Sequence, residues 1–160
     1  MMDYTAHYSS PIGDITMASD GKAIAGLWFD GQKYFADTLA IEHEERPDLP
    51  LFAETRRWLD IFFSGKAPDF TPPIAMRGSD FRKRVWQTLL EIPFGQTMTY
   101  GDIALRLGCR SAQAIGGAVG HNSISLIIPC HRVVGTGGSL TGYAGGIDKK
   151  AWLLEMEKHN

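Results

Sequence analysis

The stretch Ile127-Ile128-Pro129-Cys130-His131-Arg132-Val133-Val134 sets a thiol beside an imidazole, between two short β-branched apolar runs. Apolar runs of this length read as buried extended segments. Pro129 has no N–H to give a strand ladder, so it interrupts the pairing where the cysteine is presented. A cysteine held at such a break, next to a potential base, is arranged as a nucleophile. Free cysteines are also among the most often buried residues, so the pair by itself leaves two readings open: an inert packed thiol, or one made reactive by its surroundings.

The rest of the composition narrows the setting. The chain has 160 residues, 44% of them hydrophobic, with a formal charge of −2. This suits one domain or two small ones. No apolar run approaches transmembrane length, and Met1-Met2-Asp3-Tyr4 lacks the basic start and apolar core of a signal peptide, so a cytoplasmic location is expected. Cys109 and Cys130 are the only cysteines, which excludes a disulfide framework and disfavours a Cys-rich zinc site. The charge is uneven. Residues 1–78 hold 7 Lys and Arg against 12 Asp and Glu, a net −5, whereas residues 79–160 hold 9 against 6, a net +3. A basic C-terminal half suits an anionic partner, although solvated faces also vary by chance.

Working outward, residues 4–29 read as three strands: Tyr4–Tyr8, Ile12–Ala18 and Ala23–Phe29, separated by Ser9-Ser10-Pro11 and Ser19-Asp20-Gly21-Lys22. Together they predict a β-meander. The spacing of Tyr34, Phe35, Thr38 and Leu39 predicts a helix from Gln32 to about Ala40, and the charged, proline-bounded run His43–Pro50 reads as a loop. Phe52–Phe63 predicts an amphipathic helix. Ser64–Pro73, with one glycine and three prolines, reads as an extended connector. A domain boundary follows, giving domains over 1–76 and 77–160. Beyond it, Ser79 starts one helix, Thr99 caps a second that Gly108 stops, and Ser111 starts a third over Ala112–Gly120. Two short helices about a Gly-containing turn make a helix-turn-helix pattern, whose second helix enters a nucleic-acid groove. That second helix is unusually rich in Ala and Gly, a poor composition for helix formation but one that lets another backbone approach closely. Asp148 is expected to cap a last helix to Lys158, with Trp152, Leu153 and Met156 inward.

Taken together these segments resemble the methylated-DNA–protein-cysteine methyltransferases, or O6-alkylguanine-DNA alkyltransferases. Pro129-Cys130-His131-Arg132-Val133 is similar to their acceptor signature, Gly95-Gln96-Thr97-Met98-Thr99-Tyr100-Gly101 to their helix-turn-helix entry, and Gly116-Gly117-Ala118-Val119-Gly120-His121-Asn122 to their recognition helix and its asparagine end. Gly142-Tyr143-Ala144-Gly145-Gly146 and Leu153-Leu154-Glu155-Met156-Glu157 resemble their closing segments. The likeness is nearly continuous from Phe81 to Lys158 and loose over residues 4–76. It implies an α+β protein: an RNase H-like N-terminal part bracing a winged-helix-like helix-turn-helix domain that carries the cysteine. It also implies a function, irreversible transfer of an alkyl group from guanine O6 in duplex DNA (with O4-alkylthymine a further candidate) to Cys130 after base flipping, one event per molecule. No metal or cofactor is implied. The partner is double-stranded DNA bearing alkylated guanine, met by a monomer, with cooperativity along DNA left open.

The resemblance assigns roles that suit the residues. Cys130 would accept the alkyl group, since a thiolate can displace carbon near neutral pH. His131 would be its base through a water, because neighbours on an extended strand point apart. Glu157, preferred to Glu155 on its distance from Cys130, would hold the imidazole in the useful tautomer. Asn122 would tie the helix end to the acceptor segment, as well as capping the helix. Tyr143 would donate to the departing guanine. Tyr100 would crowd the phosphate and favour base rotation, and Ala114 and Gly117 would lie against the DNA. Arg132 is expected to bridge to a carboxylate, and Cys109 to be structural. Two positions depart from the family pattern. Gln113 stands where an arginine usually fills the vacated stack, leaving either Gln113 itself or Arg110 to substitute. Ser123 replaces a proline after the asparagine, which puts the preference for bulky alkyl groups in doubt. Two rivals remain: a non-enzymatic module that flags alkylated DNA, against which Cys130 argues, and a Cys-His hydrolase, which leaves the helix-turn-helix without a purpose.

Overall fold

In the computed structural model, which describes residues 1–158, the predicted meander forms with nearly the expected bounds. β1 (Met2–Ser10) and β2 (Gly13–Ser19) pair antiparallel from Tyr4↔Ser19 to Ser10↔Gly13, and β3 (Ile24–Phe29) joins β2 antiparallel. Ala6, Ile15, Met17 and Leu27 are fully buried, because alternation drives one face of each strand into the core. Gly26 is the one strand position where a side chain is excluded outright: a Cβ there would lie 2.1 Å from the Trp28 ring.

Two N-terminal expectations fail. The run read as a loop contains β4 (Glu42–Glu45), which adds parallel to β1 and gives the sheet order β3-β2-β1-β4. All four of its side chains are exposed, so backbone pairing alone makes the strand and no apolar alternation marks it. The helix expected over Gln32–Ala40 is instead a chain of tight turns. Tyr34 (φ 62°) and Ala36 (φ 55°) lie in the left-handed region, which a right-handed helix excludes.

α1 (Pro50–Phe63) begins on a proline, which is tolerated there because the first helical N–H has no intrahelical partner. It buries Phe52, Leu59 and Phe62. The connector then returns to the sheet. Ile24 N donates to Pro73 O and Ala75 N to Ile24 O, both at 2.8 Å. Further along the same strand, Leu27 N donates to Ser123 O (2.8 Å) and Ser125 N to Leu27 O (2.9 Å). The outer edge of β3 is therefore covered by the connector and by a loop of the C-terminal half, and one hydrophobic core runs through both halves. Arg77 adds a paired contact to the fully buried Asp3 at 2.6 and 2.8 Å; its hydrogen bonds hold the Asp3 carboxyl below the usual range.

The C-terminal helices start and stop where local chemistry predicts. In α2 (Asp80–Leu89) the Ser79 hydroxyl accepts from Arg82 N. α3 (Tyr100–Leu107) opens on a capping box between Thr99 and Asp102 and ends at Gly108, φ 65°. In α4 (Ala112–Gly120) the Ser111 hydroxyl accepts from Ala114 N. Trp86 Nε1 donates to Ala118 O at 2.8 Å, clamping α4 against α2. β5 (Met98–Thr99) pairs parallel with β6 (Val133–Val134). α5 (Ile147–Lys158) starts before Asp148, which lies in its first turn rather than at the cap. Leu153 is buried in it as expected, but Trp152 is 37% exposed, its ring tilted against Phe63.

Candidate functional site

The cysteine is held by a tightly wound loop. At the end of α4, Asn122 Nδ2 donates to Ile128 O (2.8 Å) and Asn122 Oδ1 accepts from Ile124 N (3.0 Å), so one buried amide closes the loop. Inside it, Ile127 N donates to Ser125 O at 2.8 Å across Leu126, whose φ is 73°. A bulky residue persists in that region only where its surroundings force it. Cys130 N donates to Ile128 O at 2.8 Å across Pro129 (φ −81°, ψ 66°), an inverse γ-turn. The run Ile127-Ile128 is thus buried, as expected, but not extended: the amides of Ile127 and Ile128 and the Ile128 carbonyl are satisfied within the loop and by Asn122, while β3 pairs with the preceding Ser123 and Ser125.

Cys130–Arg132 forms a single 3₁₀ turn, not the extended segment the sequence suggested. Such a turn advances about 120° per residue, so three consecutive side chains leave in three directions. His131 points to α5 and α1: its Nε2 lies 2.6 Å from Glu157 Oε2, and Phe62 meets the ring edge-on at 5.9 Å. Arg132 donates to both Glu157 oxygens at 2.9 Å and to Ile92 O at 2.8 Å. Glu157 Oε1 also accepts from Gly95 N at 3.0 Å. Burial alone would raise the Glu157 carboxyl, but the hydrogen bonds and charges of His131 and Arg132 outweigh it and hold it at about 2. Burial pushes the His131 imidazole down, against the pull of Glu157. A neutral imidazole beside an ionised carboxylate must donate from Nε2, which leaves Nδ1 with a lone pair. His131 Nδ1 is buried and bonds to no protein group.

Burial pushes the Cys130 thiol up; the Asn122 amide, the Lys150 charge and the Tyr143 hydroxyl act in the other direction. Burial likewise raises Tyr143, and the nearby sulfur raises it further. Tyr143 Oη is close enough to Sγ for this coupling, yet it has no partner in hydrogen-bond geometry. The Tyr100 hydroxyl reaches Thr141 O and Gly142 O at 3.4 Å. Beside these groups lies a cavity of about 400 Å³, with Gly116, Gly117 and Gly120 on one side and Tyr100 and Thr141–Ala144 on another. A Cβ at any of the three glycines would meet open space.

The structure therefore sets Tyr100 and Tyr143 on the cavity wall, with Cys130 and Asn122 buried next to Tyr143 but not on the wall itself, and His131 paired with Glu157. Gln113, Ala114 and Gly117 lie on the exposed side of α4, opposite buried Ile115, Ala118 and Val119, and Arg110 is exposed in the preceding turn. Gln113 and Arg110 do not line the cavity. Ser123 is buried in the loop joined to β3 and does not line the cavity either. Glu155, two positions before Glu157, is exposed. The Cys109 sulfur lies 3.6 Å from Ser111 O, within its own turn.

Sequence reasoning missed Lys150. It is fully buried, and its Nζ donates to Thr141 O at 2.9 Å. Burial lowers its ammonium, while proximity to Cys130 works to keep it charged. The signal was available: Lys150, Leu153 and Glu157 fall three and four residues apart and are the buried residues of α5, so this lysine sits on the inward stripe. Lys33 and Tyr34, also on the cavity wall, carried no such signal. Among the described residues no group of three His, Cys, Asp or Glu side chains is placed to hold a metal ion, and no helix is long and apolar enough to cross a membrane.

Residues 4–76 match the family described as 6-O-methylguanine DNA methyltransferase, ribonuclease-like domain, and residues 80–159 match its DNA binding domain. The chain is 42% identical over 156 residues to the methylated-DNA–protein-cysteine methyltransferase of Mycobacterium tuberculosis, covering 95% of this chain and 92% of that protein. It is 43% identical over 153 residues to the protein of the same name from Methanosarcina barkeri, covering 94% of each. The crystal structure of Mycobacterium tuberculosis OGT in complex with DNA superposes with a TM-score of 0.87 at 40% identity, covering 99% of this chain and 94% of that one.

Proposed function

Because the chain belongs to the methylated-DNA–protein-cysteine methyltransferase family, we propose that it repairs DNA directly, moving the alkyl group of O6-alkylguanine in duplex DNA onto Cys130. The observation that carries this is the surround of one buried thiol. A hydrogen-bonding amide, a lysine charge and a tyrosine hydroxyl all act on it, and the next residue in the chain, His131, is paired with Glu157.

The reaction follows from these groups. The exposed face of α4, small at Ala114 and Gly117, lies along the DNA backbone, and the positive C-terminal half supplies the attraction. The damaged base swings out of the stack into the cavity. Tyr100 crowds its phosphate, and Gln113, with Arg110 nearby in the chain, takes the place it leaves. The Cys130 proton passes through a water to the lone pair of His131 Nδ1, and Glu157 stabilises the imidazolium that forms. The thiolate attacks the alkyl carbon, the carbon–O6 bond breaks, and its electron pair goes to the guanine. Tyr143 donates toward O6 or N3 as that charge develops, and Lys150 stabilises first the thiolate and then the base. A thioether has no leaving group that water can displace under these conditions, so each molecule acts once.

Residues 1–76 form the bracing domain in this reading, and residues 77–160 the DNA-binding and alkyl-acceptor domain, a division supported by the two family matches and the proline-rich connector. The protein works as a monomer in the cytoplasm; two free cysteines suit that reducing compartment. The test is repair of a duplex whose single restriction site is blocked by O6-methylguanine. Cleavage should return in proportion to the protein added, up to one site per molecule, and Cys130→Ser should restore none. Binding of the modified duplex with no recovery of cleavage would favour a damage-flagging module instead.

A further inference from the structure

One wall of the cavity takes no part in the chemistry above, and it comes from the other half of the chain. Lys33 and Tyr34 belong to the turns after β3, yet they line the same space as Gly117 and Tyr143. Lys33 N donates to Ala144 O at 3.1 Å. The Tyr34 ring stacks on the His121 imidazole with centroids 3.8 Å apart and planes 21° apart, and Lys33 Nζ stands 5.2 Å from the same ring. His121 is itself tied to the recognition helix, its Nδ1 lying 2.8 Å from Gly117 O. His121 precedes Asn122, and Ala144 follows Tyr143, so this stack bridges the two segments that carry the thiol's neighbours.

The backbone is committed to the arrangement. Tyr34 and Ala36 both adopt left-handed conformations without being glycine, which persists only where packing over-determines it. The ring cannot act as a stacking platform for a ligand. The imidazole covers one face closely enough to exclude the ammonium, which must lie toward the other, so the cavity meets the ring's edge. An edge is a wall, and it limits size.

The geometry points to Tyr34 as the residue that sets the largest O6 substituent the cavity admits. This rests on the cavity being the alkylguanine pocket. Buried Cys130 is not on the cavity wall but is coupled to Tyr143, which is, so an O6 substituent reaching Sγ enters between the His121–Asn122 and Tyr143–Ala144 segments, where Tyr34 joins them. A methyl group ends at the sulfur. A benzyl group must extend past it, in a space of about 400 Å³ that also holds the base, near the lower end for ligand pockets.

The experiment compares the full chain with Tyr34→Ala and Tyr34→Phe. Single-turnover transfer rates are measured on one duplex carrying either O6-methylguanine or O6-benzylguanine, with competent molecules counted from the final extent of alkylation. Tyr34→Ala should raise the benzyl-to-methyl rate ratio roughly tenfold, the scale on which a pocket distinguishes small changes in bulk. Tyr34→Phe keeps the ring and should keep the ratio of the unaltered protein. Methyl transfer with an unmoved or lower ratio in Tyr34→Ala overturns the wall alone, as does a Tyr34→Phe ratio that follows Tyr34→Ala. Failure of the unaltered chain to take a methyl group overturns the pocket reading and the wall with it.

Discussion

Replacing Glu157 by glutamine should cost more stability than any exposed substitution, and the cost should depend on pH in one direction. The carboxylate accepts four hydrogen bonds, from Gly95 N, His131 Nε2, Arg132 Nε and Arg132 Nη2, at 2.6 to 3.0 Å. A glutamine of the same shape turns one acceptor oxygen into an NH₂ facing donors. It also leaves the buried Arg132 charge without its counter-ion. Breaking a buried ion pair from one side costs about 3–5 kcal/mol, or roughly 10 °C in Tm for a chain of this length.

The sign with pH follows from the depressed carboxyl. The folded-state value is about 2 against an ordinary 4.5, so the stabilisation, about 3 kcal/mol, is fully present above 4.5 and is lost as pH falls toward 2. By pH 3.5 the loss is already on the order of 1 kcal/mol. Glutamine does not titrate, so urea unfolding of the two proteins should show a wide gap at pH 7 that narrows by about that amount at pH 3.5. A gap under 1 kcal/mol at pH 7, or one that does not narrow on acidification, would refute the view that an ionised Glu157 holds Arg132 and His131 together.

Three further substitutions probe the site from other sides. Lys150→Met removes the buried charge beside the thiol; transfer should slow roughly tenfold or more at pH 7, and its pH–rate profile should move to higher pH, whereas a slower rate with an unmoved profile would mean that Lys150 only packs. Gly117→Val places a branched side chain on the open face of α4. Folding stability should change by no more than about 0.5 kcal/mol while affinity for duplex falls, as filter binding would show; unchanged affinity would remove this face from the interface. Gln113→Arg adds a cation to the same face and should tighten duplex binding, the gain shrinking as salt is raised. Unchanged affinity at low salt would place Gln113 outside the DNA interface.

The parts of this structure that could be read from the sequence are those whose causes are local. Ser79, Thr99 and Ser111 cap helices through hydroxyls three residues from the amides they accept, and Gly108 stops α3 through its own left-handed backbone. Each cause lies within one turn of its effect. β4 escaped because its pairing with β1 is made by backbone atoms about forty residues apart, under charged side chains. The turns at Gln32–Ala40 were mistaken for a helix because the spacing of Tyr34, Phe35, Thr38 and Leu39 is helical while two of the backbone conformations are not. At the site, Cys130, His131 and Glu157 were legible from the resemblance, and their convergence needs the 3₁₀ turn that no pattern announced. Lys150 could have been found from its place on the buried stripe of α5. Tyr34 could not, since its partner His121 lies on a different element of the other half of the chain.

The central claim is that one atom, Cys130 Sγ, becomes the permanent carrier of the lesion. It is tested most directly by peptide mass after mixing the protein with a duplex containing a single O6-methylguanine. The account predicts one added methyl group per protein, confined to the peptide containing Cys130, absent from the peptide of Cys109, and absent altogether in Cys130→Ser. A methyl group on any other residue, or a protein of unchanged mass beside repaired DNA, would contradict it.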